Sequence, residues 1–328
     1  MILLIVVIVF VDLVISVENV GAFDFFKSLI GKNENFNINY IVFQVRLPRV
    51  FTAILVGAGL SVAGLLLQTL FHNPLAGPFV LGISSGASLG VAVFIMAAGA
   101  GMGISPFFTA GGQVLAALIG SGLVFILVLL FSWKLNDTVS LLIIGIMIGS
   151  LASSVVSILQ YFANPETVHK FVIWSLGSLS STSWVHLKFI FPVFALSLLL
   201  LIFILKPLDI MLMGEVHARV SGVNVRLVRI LMIIIASLLA GTLTAFTGPI
   251  GFIGMTVPHL ARLITRSISH RVIVPGVIVT GSLLMLICDI ISQMPGRASV
   301  LPINAVTALF GAPVVVGFIV RNRKTKII

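Results

Sequence analysis

Residues 43–70 read FQVRLPRVFTAILVGAGLSVAGLLLQTL, an apolar run in which no charged residue follows Arg49. A hydrocarbon core about 30 Å thick is crossed by roughly 20 apolar residues in a helix. Only a helix or a closed barrel satisfies every backbone polar group inside lipid. Barrel strands show about ten residues of alternating polarity, whereas this run is continuously apolar. It therefore reads as a membrane-spanning helix.

Nine further runs of the same character lie at 1–17, 79–99, 108–132, 138–163, 187–206, 227–247, 250–267, 272–293 and 303–320, separated by polar or Pro/Gly breaks. The chain of 328 residues is 59% hydrophobic and 9% charged, with a mean hydropathy of +1.25, against about a quarter charged in soluble domains. Ten spans leave no room for a soluble catalytic domain. The fold class expected is an all-α polytopic membrane protein of about ten transmembrane helices, with residues 1–328 forming a single transmembrane domain. The first seventeen residues lack a basic lead-in and a small-x-small cleavage site, so they read as a retained span.

The formal charge of +10 is spread over loop-sized islands, not gathered on one soluble face with aromatics between, which argues against nucleic acid. With a cytoplasmic amino terminus the inner side carries Lys134, Lys206, Arg219, Arg226, Arg229, Arg262, Arg266, Arg271, Arg321, Arg323, Lys324 and Lys326. The outer side carries Lys27, Lys32, Arg46, Arg49, Lys170, Lys188 and Arg297. The positive-inside rule selects this orientation, with both termini cytoplasmic.

Small residues recur at helical spacing: Gly57 and Ser61 in the second run, Gly82, Gly86 and Gly90 in the third, and Gly145, Gly149, Ser153 and Ser157 in the fifth. Such stripes let helix backbones approach closely, and packing is the reading for the second and third. The fifth stripe continues to Gln160 and grows polar, which suits the wall of a wet pathway. Asp12, Asp289 and His259 are intramembrane ionisable groups that no sequence spacing pairs, and they read as structural hydrogen-bonding residues. The six histidines show no metal-ligand spacing, the single cysteine, Cys288, excludes a disulfide framework, and no nucleophile, zinc or phosphate-loop motif is present. The chain is not expected to hydrolyse ATP by itself.

The connection 207–229 mixes apolar and charged residues. Glu215 and Arg219 are four apart and can pair, Val216 and Val220 form an apolar strip, and Gly222 can end a short helix in the left-handed conformation. This reads as a docking helix for a cytoplasmic partner.

Several blocks carry a family resemblance: Arg46-Leu-Pro-Arg49, Gly64 to Gln68, and Asn73-Pro74-Leu75-Ala76-x-Pro78 with Leu81-Gly82-x-Ser84-x-Gly86-Ala87. Gly214-Glu215-x-x-Ala218-x-x-x-Gly222-Val223, Gly248 to Gly254, Val257-Pro258-His259-x-Ala261-Arg262, Leu301-Pro302 and Thr307 to Pro313 continue it in order. Together they resemble the FecCD family of ABC importer permeases. The resemblance implies the fold of a type II importer permease. It also implies two such subunits, as a homodimer, around a central passage in the cytoplasmic membrane. Two cytoplasmic ATPases would use ATP and magnesium, an outer substrate-binding protein would deliver cargo, and this chain itself would bind no cofactor, metal or catalytic group.

Carried over by residue, the family places the cytoplasmic gate at Asn73, Leu75, Thr138 and Val139, and ATPase coupling at Gly214, Glu215, Ala218, Arg219 and Gly222 within a segment of about 207–226. Arg46 and Arg49 match the outer arginines that meet acidic residues of the binding protein. Pro48 between them favours a helix start, which would let both side chains project into water. The third docking arginine is replaced here by Gln293, with Arg297 four residues on, and Val300 stands where many members have glutamate. The implied function is an ATP-driven, alternating-access importer of iron chelates, ferric siderophore or haem, with cobalamin as the alternative. A stand-alone carrier or channel would want paired intramembrane charges, and an intramembrane enzyme would want a nucleophile and base.

Overall fold

The computed structural model describes residues 2–14, 25, 27–28, 30, 35–99, 109–135, 137–293 and 300–325. All the regular secondary structure among these residues is helical, with no strand. In chain order the helices are α1 (Ile2–Val14), α2 (Phe36–Leu70), α3 (Ile83–Gly99), α4 (Thr109–Lys134), α5 (Thr138–Phe162) and α6 (Pro165–Ser175). They continue with α7 (Trp184–Met211), α8 (Glu215–Val220), α9 (Val225–Thr247), α10 (Ile253–Thr265), α11 (His270–Gln293) and α12 (Ile303–Thr325). Each of the ten apolar runs forms one of these helices.

Six of them, α2, α4, α5, α7, α9 and α11, are long and apolar enough to cross a membrane unaided. Burial sorts these six into two groups. The apolar windows of α2, α9 and α11 are 89%, 78% and 67% buried, whereas those of α4, α5 and α7 are each 28% buried. Since lipid is as apolar as leucine, the first group is an inner layer and the second presents its apolar sides outward. Helix α2 is the centre, packing on α1, α7, α9, α10 and α11.

Close backbone approach makes that centre possible. A Cβ added to Gly57 would lie 2.3 Å from the Gly281 carbonyl oxygen, and one on Gly64 would lie 1.8 Å from that of Gly254. No side chain fits at either crossing, so α2 meets α11 and α10 backbone to backbone. The same device joins α3 to α4, where Gly86 and Gly90 face Gly120 and Ala116. The packing reading of the second and third stripes is therefore a structural fact.

Three local expectations change. Pro48 does not start a helix, because α2 begins twelve residues earlier at Phe36, with the Asn35 side chain capping Asn37 N at 3.1 Å. A proline ring inside a helix clashes with the carbonyl four residues back. Here residues Ile41–Arg46 widen into a π turn in which Leu47 N donates to Val42 O, which opens the ladder just before Pro48. The run 250–267 yields only the 13 residues of α10, bounded by left-handed Phe252 (φ 65°) and Arg266 (φ 49°). At 1.5 Å per residue that is about 20 Å, short of a full crossing. Finally, α6 is a short helix in a connection where the sequence pattern suggested none.

Candidate functional site

Two adjoining cavities run along the face of α5. One, of about 280 Å³, is lined by Phe79, Ser84, Ser85, Ser88, Ser153, Val156, Ser157, Gln160 and Phe171. The other, of about 430 Å³, shares Phe79, Ser85 and Ser153 and adds Gly145, Ile146, Gly149 and Ser150. All five pathway residues expected from the sequence, Gly145, Gly149, Ser153, Ser157 and Gln160, thus fall along one groove. Their roles differ. Gly145 and Gly149 are buried and seat the 3₁₀ turn Pro78–Leu81 and Gly82, since a Cβ on Gly145 would lie 2.6 Å from Val80 O. The serines beyond them open to the groove.

Those serines bond within their own helices: Ser153 to Gly149 O at 2.9 Å, Ser157 to Ser153 O at 3.0 Å, and Ser88 to Ser84 O at 3.0 Å. Each of these three hydroxyl protons is thereby used within its own helix, and the oxygens keep lone pairs free to accept. No lining residue of either cavity is charged. A wall of neutral hydroxyl and amide groups with aromatic rings can wet a passage and let a bulky solute slide along it without holding a small ion.

At the Leu70 end of α2 the chain turns through residues 71–77. Asn73 Oδ1 accepts from Leu75 N at 2.9 Å, an Asx turn, and leaves Leu75 37% exposed. His72 takes a left-handed φ of 47°. The loop is pinned by α10, because His259 Nε2 lies 2.7 Å from Pro74 O and Gln68 bridges Met255 O (3.0 Å) and Arg262 Nη1 (3.0 Å). Thr138 and Val139 open α5, with Val139 58% exposed. Asp137 caps them, accepting from Ser140 Oγ and Ser140 N at 2.8 Å and from Val139 N at 3.1 Å. The Ser140 hydroxyl bond, then the backbone bonds, hold this exposed carboxyl below its usual range.

Helix α8 occupies the connection where a docking helix was expected. Val216 and Val220 are 80% and 84% exposed, while Ala218 is fully buried against α7 and α9. Gly214 and Gly222 flank it at φ 102° and 82° with nothing near either Cβ position. Both need glycine for conformation and not for space. Glu215 reaches Arg219 only at 3.6 Å on the surface, and its stronger partner is the buried Arg229 at 2.7 Å. That second pair, 14 residues apart, has no signature in helical spacing.

The opposite end of α2 departs most from expectation. Arg46 and Arg49 do not project into water; both are buried. Arg46 Nη1 donates to Leu13 O at 2.6 Å. Arg49 grips Asp289 through Nη2 to Oδ1 (2.6 Å) and Nε to Oδ2 (2.8 Å). Gln293 Nε2 extends the cluster to Asp289 Oδ2 at 3.2 Å and Asp12 Oδ1 at 2.8 Å. The physical reason is that the helix runs on beyond Pro48, placing both arginines in its interior against α1 and α11. Asp12 and Asp289, unpaired by sequence spacing, meet through Gln293. Arg297 lies outside the described residues.

With this geometry in hand, comparison with known proteins is direct. The profile of the FecCD transport family matches residues 3–321. The hemin transport system permease protein HmuU of Yersinia pestis is 32% identical over 97% of this chain and 95% of its own length. The vitamin B12 import system permease protein BtuC of Klebsiella pneumoniae is 34% identical over 86% and 83%, and the molybdate import system permease protein MolB of Haemophilus influenzae 34% over 83% and 79%. A solved metal-chelate type ABC transporter in an inward-facing conformation superposes with a TM-score of 0.83 at 30% identity, covering 98% of this chain and 97% of the other. The match across nearly the whole chain, in sequence and in fold, makes this protein a member of the FecCD transport family, a multi-pass translocation subunit of an ABC importer that leaves ATP hydrolysis to partner ATPases.

Proposed function

We propose that this permease carries an iron chelate, haem or a ferric siderophore, as one of two identical copies around the α5 groove. The observation that carries the reading is the groove wall of serine oxygens and aromatic rings with no charged lining residue. A bulky chelate needs a wet, unreactive passage, whereas an oxyanion the size of molybdate would be recognised by cationic groups, and the groove lining holds none. The hemin permease is also the relative matched over the largest share of the chain among those compared. Cobalamin is the second reading, supported by the vitamin B12 permeases and by the same neutral wall.

In this scheme both termini are cytoplasmic, Asn73, Leu75, Thr138 and Val139 form the inner gate, and α8 docks on the ATPase. ATP-driven closure of the ATPases moves α8, the groove opens outward to cargo delivered by a binding protein, and hydrolysis resets the gate. Arg46 and Arg49 could dock that protein only by releasing Leu13 O and Asp289, so the scheme assigns them to holding the outer end of the bundle. Uptake by the chain reconstituted with its ATPase and binding protein decides the cargo. Iron-55 haem or siderophore should accumulate in an ATP-dependent manner while cobalt-57 cobalamin does not. Accumulation of cobalamin alone would reverse the assignment.

A further inference from the structure

Helix α8 and the gate loop 71–77 do not adjoin in sequence, and neither the groove nor the docking surface explains how one would move the other. A hydrogen-bonded chain between them lies at the inner ends of α7, α11 and α2. Asp209 sits in the last turn of α7, six residues before Glu215 opens α8. Its Oδ2 accepts from Ser269 Oγ at 2.7 Å, and its Oδ1 accepts from the backbone N–H of His270 and lies 2.8 Å from His270 Nδ1. The carboxylate of α7 therefore caps the first residue of α11, a task usually done by a residue just before the helix.

The far side of the same imidazole reaches α2. His270 is 2% exposed, and its Nε2 lies 3.1 Å from Thr69 Oγ1. Placing the imidazole proton on Nδ1 satisfies the carboxylate and leaves Nε2 to accept the Thr69 hydroxyl, which is shared with Leu65 O at 3.0 Å. Thr69 stands one residue before the end of α2, and His72 N and Asn73 N bond back to Thr69 O and Gln68 O. Any shift of Thr69 is thus passed to the gate loop.

We propose that the Asp209–His270–Thr69 chain is the tie that transmits displacement of α8 to the inner gate, with the three side chains acting as positioning residues. The tie rests on the reading of α8 as the ATPase docking helix. A competing route exists through Glu215 and Arg229 into α9, which packs on α2 and on the turn Pro78–Leu81. Beyond that ion pair the route runs through the buried face of α9, whose residues are mostly apolar and pack without fixed direction. The tie is directional, because each hydrogen bond fixes both distance and angle.

The experiment uses the permease reconstituted with its ATPase and binding protein, measuring cargo moved per ATP hydrolysed. Spin labels on Leu75→Cys and Val139→Cys report the gate distance with and without ATP; native Cys288 is buried and stays unlabelled. Thr69→Val keeps the shape and removes the hydroxyl. It should lower cargo per ATP by about fivefold or more, the lower end of typical site-to-site coupling, abolish the ATP-dependent distance change, and leave ATPase assembly intact. Thr69→Ser should restore both readouts. Asp209→Asn should match Thr69→Val, and the double variant should be no worse than the poorer single one. Cargo per ATP within about twofold of wild type in Thr69→Val, or losses that multiply in the double variant, would overturn the tie. Val216→Asp probes the underlying reading separately: normal ATPase assembly in that variant would remove α8 from its docking role, and the tie with it.

Discussion

Replacing Arg49 by methionine separates two roles for this residue, an anchor inside the bundle and a contact for an incoming protein. In the structure the guanidinium makes bonds of 2.6 and 2.8 Å to Asp289, whose side chain is 0% exposed, against 10% for that of Arg49. Methionine fills much of the volume but strands the carboxylate, leaving Gln293 Nε2 at 3.2 Å as its remaining hydrogen-bond donor among the described residues. Breaking a buried ion pair from one side costs about 3–5 kcal/mol. Asp289→Asn should cost less, roughly 1.5–3 kcal/mol as for a lost charge-assisted bond, because a cavity of about 180 Å³ touches Arg49 and can hydrate it. Arg49→Met with Asp289→Leu should recover most of the loss, since a packed apolar pair of similar volume is often neutral against a buried ion pair. The assay is reversible unfolding in mixed detergent micelles, followed by fluorescence of the three tryptophans, alongside the association rate of the binding protein. A loss below about 1 kcal/mol in Arg49→Met, together with slowed association, would refute the inward reading and return Arg49 to the docking surface.

Gly64→Ala drives a Cβ into the Gly254 carbonyl at 1.8 Å and should cost about 3 kcal/mol or prevent recovery of monodisperse protein, whereas Gly122→Ala, with nothing within 4 Å, should gain about 0.5–1 kcal/mol; size-exclusion profiles and unfolding midpoints compare the two. Gly222→Val sits at φ 82° in open space, so its penalty of about 1–2 kcal/mol is conformational. It should spare folding and lower transport per ATP, and wild-type transport would count against the placement of α8. Ser153→Phe fills the region shared by the two cavities; uptake should fall sharply with the unfolding midpoint unchanged, and undiminished uptake would move the path elsewhere.

Much of the fold was legible because the bilayer makes local demands. Every apolar run became a helix, since backbone groups in lipid must be satisfied within the segment itself. The glycine stripes of α2 and α3 announced their crossings, because the absence of a side chain is a property of the residue and not of its neighbours. The groove was legible in part: the polar drift of α5 marked one wall, but Phe79, Ser84, Ser85 and Ser88 of the opposite wall carried no comparable signal. The π turn before Pro48 was hidden, because a proline after a short polar stretch fits a helix start as well as a widened helix interior.

The amino-acid sequence by itself determined which segments enter the membrane, how closely their backbones can approach, and where the short helix α8 ends. Hydrophobic periodicity, glycine placement and capping act within a few residues of each other. Only the tertiary structure decided the pairing of charges. Arg49 with Asp289, Gln293 with Asp12, Asp209 with His270 and Glu215 with Arg229 are separated by 240, 281, 61 and 14 residues. An isolated charge in lipid is costly wherever it sits, so each had to find a partner. Which partner depended on how the helices crossed, and that choice turned two arginines expected at the surface into ties within the bundle.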